Sequence, residues 1–106
     1  LNQRQQQLVN IARALAQQPA IILADEPVRG FDPTTSEELL ALLKKECEGQ
    51  KICLIVSLHQ AELAKNFADR IICISQGLVV SDGGPEDITM EKLRIIYGTD
   101  YKVPQY

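Results

Sequence analysis

The sequence lacks a basic run, an apolar run long enough for a membrane span, and a regular spacing of cysteines. Its net charge is −3, and no stripe of lysines and arginines could neutralise nucleic-acid phosphates, so we expect no nucleic-acid partner. A membrane-spanning helix needs about 20 consecutive apolar residues, which occur nowhere in the chain. Because Cys47, Cys53 and Cys73 lack metal-ligand spacing, we expect reduced and mostly buried thiols.

The sequence also has no G-x-x-x-x-G-K-[ST] pattern, the glycine-rich loop whose backbone N–H groups hold nucleotide phosphates. The composition is otherwise ordinary for a globular domain, with 45% hydrophobic and 24% charged residues. The chain begins at Leu1 without an initiator methionine. We therefore expect it to be part of a longer protein.

The apolar periodicity of the first half predicts an α/β unit. Helical spacing predicts a helix over 5–17, and short apolar runs predict strands over 20–24 and 51–57, buried on both faces as in a parallel sheet. A helix between these strands ends near Gly49, and its expected cap is one of Thr34, Thr35 and Ser36. Strand, helix and strand within about forty residues form a βαβ unit.

The second half continues with a third helix–strand unit, a helix over 60–66 and a strand over 70–75. A turn at Gln76 and Gly77 predicts a hairpin with a strand over 78–81. A short helix is expected over 88–97, with its apolar residues on one face.

Two adjacent carboxylates, Asp25 and Glu26, come directly after the first predicted strand and before Pro27. In an open α/β sheet, ligands bind at the carboxyl ends of the strands. Adjacent strand residues point to opposite sides, so we expect the two carboxylates to have different tasks. One could hold a hard cation such as Mg²⁺, and the other could act as a general base on water. Two solvated acids at a strand exit are the alternative for this pair taken alone.

Two further residues favour a phosphate-handling site at this edge. His59 is the single histidine and follows the second predicted strand, so it is expected at the same sheet edge as Asp25 and Glu26. Asp32 lies in the loop just beyond the carboxylate pair.

Four segments together resemble the second half of the ATPase subunits of ATP-binding-cassette transporters. They are LNQRQQQLVNIARALAQQP, IILADEP, GFDP and VSLHQ, which match in order and spacing the signature helix, the Walker B strand, the D-loop and the H-loop. The resemblance covers residues 1 to about 90. Among such ATPases, those of phosphonate importers resemble these segments most closely in their amino-acid sequence.

This resemblance implies a P-loop NTPase-like parallel sheet with flanking helices and a C-terminal β-hairpin. The fold is expected to be partial, with the Walker A half absent and residues 1–106 forming the C-terminal portion of a single ATPase domain. It further implies that Asp25 holds Mg²⁺, that Glu26 is the general base and that His59 contacts the γ-phosphate of ATP.

The remaining implications concern partners. Asn2 and Gln5 of the signature segment would contact the nucleotide held by a second ATPase domain, and Asp32 would communicate across that head-to-tail dimer. The subunit would dock on a transmembrane permease at the cytoplasmic, inner face of the plasma membrane. Without the Walker A loop, this chain alone is expected to bind ATP poorly and to expose apolar surface.

The sequence departs from the family pattern at two places. Asn2, Gln3 and Arg4 stand where the family has Ser-Gly-Gly, and Gly30 and Phe31 replace the Ser-Leu of the D-loop. Two alternatives therefore stay open besides an importer ATPase. The chain could be a non-catalytic, truncated half that acts only as an interaction module, or part of a repair ATPase of the same superfamily.

Overall fold

The computed structural model describes residues 1–98, and it divides into two compact units, Leu1–His59 and a second that begins at Gln60. The single portion expected over 1–106 includes residues 99–106, which lie outside the described residues. None of the described helices is both long and apolar enough to cross a membrane.

The first unit alternates helix and strand: α1 (Gln3–Ala16), β1 (Ile21–Asp25), α2 (Pro33–Gly49) and β2 (Cys53–Ser57). The strands are parallel and in register from Ile21 opposite Cys53 to Asp25 opposite Ser57. The predicted βαβ unit is therefore confirmed. Each element lies within a few residues of the predicted bounds.

Both helices of this unit contribute to one apolar core on one face of the sheet. The buried centre is formed by Ile22, Leu43, Cys47 and Ile52. Partly buried side chains of α1 and of the strands pack around it: Ile11, Ala14, Leu15, Ala24 and Leu54. Side chains alternate between the two faces of a strand, so the core takes alternate residues of β1.

The expectation that β1 is buried on both faces is wrong. Ile21 and Leu23 point away from the core and are 55% and 76% exposed, and Ile55 of β2 is 53% exposed. Within residues 1–59 no further layer covers this second face, and the sheet consists of β1 and β2 paired with each other. The expected exposed apolar surface is therefore present.

The predicted cap of α2 is also wrong. Asp32, rather than Thr34, Thr35 or Ser36, is the N-cap, and Pro33 occupies the first turn of the helix. Proline suits this place because its missing N–H is one that a helix start leaves unpaired and its φ is already helical.

The second unit contains α3 (Ala61–Phe67), β3 (Ile71–Ser75), β4 (Leu78–Gly83), a 3₁₀ turn (Pro85–Asp87) and α4 (Met90–Tyr97). Within it, β3 and β4 form an antiparallel hairpin, as predicted. Its two turn residues have positive φ, 52° for Gln76 and 77° for Gly77, which matches the right-handed twist of paired strands. Buried Leu63, Ile88 and Leu93 provide its apolar interior.

The cysteines differ in exposure more than the sequence indicates. Cys47 is 2% exposed in the core, whereas Cys53 is an exposed thiol on β2. Burial raises the pKa of the Cys47 thiol, and burial likewise raises that of Cys73. A raised pKa lowers the fraction of reactive thiolate.

We expect a maleimide to modify Cys53 rapidly in the folded chain and Cys47 slowly, because Cys47 is both inaccessible and protonated. Mass spectrometry of peptides after timed labelling measures the rates, and labelling in urea is the control in which all three thiols react. Equal rates for Cys47 and Cys53 without urea would contradict the described core.

Candidate active site at the carboxyl end of the parallel sheet

The two parallel strands end side by side and bring their last residues together. Asp25 closes β1, and its partner in the register is Ser57, the last residue of β2. His59 follows two residues later in the same unit. The sheet thus places Asp25, Glu26 and His59 at one edge.

A single side chain, that of Ser57, contacts both acidic residues. Its Oγ donates to Asp25 Oδ1 at 2.5 Å and accepts the backbone N–H of Glu26 at 2.9 Å. The carbonyl of Ser57 also accepts that N–H at 3.1 Å. Glu26 therefore extends the ladder of the sheet by one residue although the strand has ended.

The backbone of Glu26 has an unusual conformation, with φ of 43°. A non-glycine residue in this left-handed region costs roughly 1–2 kcal/mol, so its surroundings must hold it there. Two turns follow, since Arg29 N–H donates to Glu26 O and Phe31 N–H donates to Val28 O, both at 3.1 Å. Gly30 has φ of 83° in the second turn, which glycine adopts without a Cβ clash.

The Glu26 carboxylate is largely buried, with 13% of its side chain exposed, and it has two basic partners. Its Oε1 contacts Nε2 of His59, and its Oε2 accepts Nε of Arg29 at 2.7 Å. Both partners are exposed, at 78% for His59 and 77% for Arg29. The Glu26 carboxylate at the strand end is thus covered by two exposed basic side chains, those of Arg29 and His59.

A polar cavity of about 300 Å³ lies between α1 and this strand end. Asp25, Glu26 and Arg29 form its acidic and basic wall. Pro27 and Phe31 of the loop after β1 also line the cavity. Helix α1 supplies four amide side chains, which are those of Gln3, Gln6, Gln7 and Asn10. Gln7 joins the two sides, because its Nε2 donates to the carbonyl of Pro27 at 2.6 Å.

The signature residues Asn2 and Gln5 lie together at the start of α1 and form its cap. Asn2 Oδ1 accepts Gln5 N–H at 2.8 Å, and Gln5 Oε1 accepts Asn2 N–H at 3.0 Å. Such a reciprocal arrangement satisfies two N–H groups that a helix start otherwise leaves unpaired. Asn2 is therefore the N-cap of α1. Neither residue lines the cavity beside Glu26.

Asp32 has a structural task in this unit. Its Oδ2 accepts Thr35 N–H at 3.1 Å, and it is an exposed N-cap of α2. Hydrogen bonds from the Thr35 side chain first, and then from the Thr35 backbone N–H, lower the pKa of Asp32 from its ordinary value of 3.8. The folded state therefore favours the ionised carboxylate.

We expect Asp32→Ala to lower the urea midpoint of unfolding, because alanine cannot cap α2, whereas Asp32→Asn should retain most of the stability. Since the folded pKa is depressed, the ionisation contributes its stability above pH 3.8 and loses it as the pH falls through the folded pKa. The gap between wild type and Asp32→Asn should therefore close on acidification. A gap that is the same at pH 7 and at pH 3 would contradict this linkage.

Three residues of the site were missed from the sequence: Ser57, Arg29 and Gln7. Ser57 ends a predicted strand next to one that ends in Asp25, so the register could have indicated it. Arg29 lies three residues after Glu26, the spacing of a turn. Gln7 gives no such signal, because its partner Pro27 is twenty residues away.

The donor set fits a hard cation held by few protein ligands. Asp25 is exposed, and with Oδ1 bonded to Ser57 its Oδ2 can face a cation. Within residues 1–98 no group of three or more His, Cys, Asp or Glu side chains could enclose a metal. A single exposed carboxylate such as Asp25 is the type of ligand that Mg²⁺ takes, together with waters and substrate phosphates.

Known proteins are similar to this sequence over most of its length, although no family model matches it. The phosphonates import ATP-binding protein of Thiobacillus denitrificans is 56% identical over 93 residues, which are 88% of this chain and 36% of the relative. The phosphite import ATP-binding protein of Stutzerimonas stutzeri is 54% identical over 93 residues, 88% of this chain and 34% of the relative. The chain therefore spans about a third of the length of these curated relatives.

A solved structure shares the fold. A dimeric ATP-binding cassette in a post-hydrolysis state, bound to ADP and Pi, is 42% identical and superposes with a TM-score of 0.63. The match covers 80% of this chain and 36% of the cassette. The partial α/β fold with a parallel sheet is therefore that of a cassette ATPase. By sequence and by fold, the chain is homologous to part of the ATP-binding subunits of ATP-binding-cassette importers.

Proposed function

We propose that this chain is the part of an importer ATPase that carries the hydrolytic residues, and that the whole subunit couples ATP hydrolysis to uptake of a phosphorus oxyanion such as a phosphonate. One observation supports this most directly: a parallel sheet ends in Asp25 and Glu26, with His59 against the Glu26 carboxylate. The names of the relatives, for phosphonates and phosphite, support the substrate class.

Each residue of this edge has a distinct proposed role. Asp25 would hold Mg²⁺, and the chemistry that the ion would supply there is neutralisation of charge on the transferred phosphoryl group. Glu26 accepts the proton of the attacking water, and its small exposed fraction of 13% keeps bulk water away from that carboxylate. His59 contacts the γ-phosphate and orients Glu26 through Nε2.

The import function in the relatives' names and the dimeric form of the solved cassette support the proposed partners. A second ATPase domain binds head to tail, with Asn2 and Gln5 facing its nucleotide and Asp32 near the shared boundary. A transmembrane permease anchors the subunit at the cytoplasmic face of the membrane. The caps made by Asn2 and Asp32 hold the starts of α1 and α2 in a defined form for these contacts.

A chimaera tests the proposed function. The matched 93-residue stretch of the Thiobacillus denitrificans protein is replaced by the corresponding stretch of this chain, which restores a full-length subunit. Purified with its permease, the chimaera should hydrolyse ATP and drive phosphonate uptake in vesicles. The parent protein is the positive control. A folded chimaera that binds ATP but neither hydrolyses it nor supports uptake would contradict the proposal.

We expect Arg29→Ala to increase ATP hydrolysis by the chimaera modestly. The Arg29 guanidinium occupies Oε2 of Glu26, so this contact must open before that oxygen can accept a proton from water. Because Arg29 is 77% exposed, its ion pair with Glu26 is expected to contribute about 0.2–1 kcal/mol, which corresponds to about a 1.4- to 5-fold change in rate. Arg13→Ala, an exposed arginine of α1, is the control. A rate that falls in Arg29→Ala would show that Arg29 assists the reaction.

A further inference from the structure

Ser57 joins the two acidic residues of the site through one hydroxyl group. That hydroxyl donates to Asp25 Oδ1 at 2.5 Å and accepts Glu26 N–H at 2.9 Å. A serine hydroxyl has one donor and two acceptor positions, so both contacts can be made together. Each contact restrains a different part of the site, a carboxylate in one case and a backbone in the other.

We propose that Ser57 is the positioning residue of this site, which orients Asp25 toward a divalent cation and holds Glu26 in its left-handed conformation. The inference rests on the proposed function, because it assumes that Asp25 binds the cation. The proposal assigns Ser57 no contact with the cation or with the attacking water. It acts through its two acidic neighbours.

The Asp25 contact determines which carboxylate oxygen faces the cation. With Oδ1 engaged by the hydroxyl, rotation of the carboxylate would break this hydrogen bond, which favours one direction for Oδ2. Hydrogen-bond partners of a metal-binding carboxylate are known to matter: their loss lowers metal affinity or activity by about 10- to 100-fold. Loss of the Ser57 hydroxyl should therefore have an effect of this size.

The Glu26 contact determines where the base points. Its φ of 43° is maintained by two acceptors on one residue, the Oγ and the carbonyl oxygen of Ser57. Removing the hydroxyl leaves the carbonyl alone to hold this N–H. The Glu26 amide should then open about 2- to 13-fold more often, the change expected for one lost hydrogen bond.

Threonine and valine at position 57 form a matched pair of variants. Both side chains have the same shape and suit a strand, and Ser57 is exposed, so either methyl group can be accommodated. Only Ser57→Thr keeps the hydroxyl. A purely structural contribution of the side chain would therefore affect the thermal midpoint of both variants without affecting their cation dependence.

The test uses the chimaera, with Mn²⁺ as the cation and ATP at saturation. Ser57→Val should lower kcat and raise the Mn²⁺ concentration that gives half the maximal rate. The two changes multiplied together should amount to about 10- to 100-fold. The KM for ATP should change little. Ser57→Thr should restore both towards wild type. Equal Mn²⁺ dependence in the two variants would overturn the inference.

A second measurement separates this inference from the proposed function. Amide hydrogen exchange at Glu26, followed in the chain itself, should be faster in Ser57→Val than in Ser57→Thr. Equal exchange rates of the Glu26 amide in Ser57→Val and Ser57→Thr would overturn the inference, whether or not the chimaera hydrolyses ATP. If the wild-type chimaera is inactive, the proposed function fails; faster exchange would then show a structural contact only, which also overturns the positioning role.

Discussion

Replacing Glu26 by glutamine is expected to lower the rate of ATP hydrolysis by the chimaera by about 10²- to 10⁴-fold, the usual contribution of a general base. Glutamine has the size of glutamate and can still fill the space under His59, but it accepts no proton from water. The loss should appear in kcat, whereas ATP binding should remain. A phosphate-release assay together with an ATP-binding titration separates the two quantities.

The control for this experiment is Glu48→Gln, which removes the same charge from an exposed place on α2. It should leave the rate unchanged, so a general effect of net charge would be recognised. If Glu26→Gln hydrolyses ATP as fast as Glu48→Gln, another group must accept the proton. His59 would then be the next candidate, because it contacts the same carboxylate.

The second large effect concerns folding. Leu43→Ala should destabilise the chain by about 2–5 kcal/mol, because Leu43 is 2% exposed in the core of the first unit and alanine leaves a cavity. Small domains are stable by only about 5–15 kcal/mol, so this loss is a large part of the total. Urea unfolding followed by circular dichroism measures it.

Leu42 provides a matched control on the same helix. It is 41% exposed, and its replacement by alanine should change stability by about 0.5 kcal/mol or less. Ile52→Val, a smaller change at a residue that is 8% exposed, should cost about 0.5–1.5 kcal/mol and gives a measurable value if Leu43→Ala does not fold. Equal losses for Leu42→Ala and Leu43→Ala would contradict the described packing of α2.

The elements of the fold were largely predictable because their signals are local. The helical period before Pro19, the apolar run before Asp25 and the Gln76–Gly77 turn each indicate one element without reference to the rest of the chain. The cap of α2 was missed for a local reason as well. Three hydroxyl residues competed as candidates, and Pro33 at the first helical position is the signal that favours Asp32.

Burial was predicted less well, because an apolar strand does not reveal how many layers cover it. The run that contains Ile21 and Leu23 is as apolar as a strand buried on both faces, yet both side chains are largely exposed. The matched stretch is 36% of the Thiobacillus denitrificans relative, and we propose that the rest of the subunit covers this face. Exposed apolar area of this kind usually marks an interaction surface.

The candidate site was also predictable in part from the sequence. That Asp25, Glu26 and His59 share one edge follows from sequence order alone, since neighbouring parallel strands end at the same edge of their sheet. Their roles in catalysis remain predictions that the chimaera tests. The sequence did not indicate that Arg29 and His59 hold separate oxygens of Glu26.

The sequence by itself determined the order of helices and strands, the chemical types at the strand ends and the homology to cassette ATPases. These depend on periodicity, turn residues and short motifs, all of which act between residues close in the chain. Only the tertiary structure decided that Ser57 bridges Asp25 and Glu26 and that one sheet face stays open. Both depend on which distant segments lie side by side, because hydrogen bonds and burial are set by distance in space.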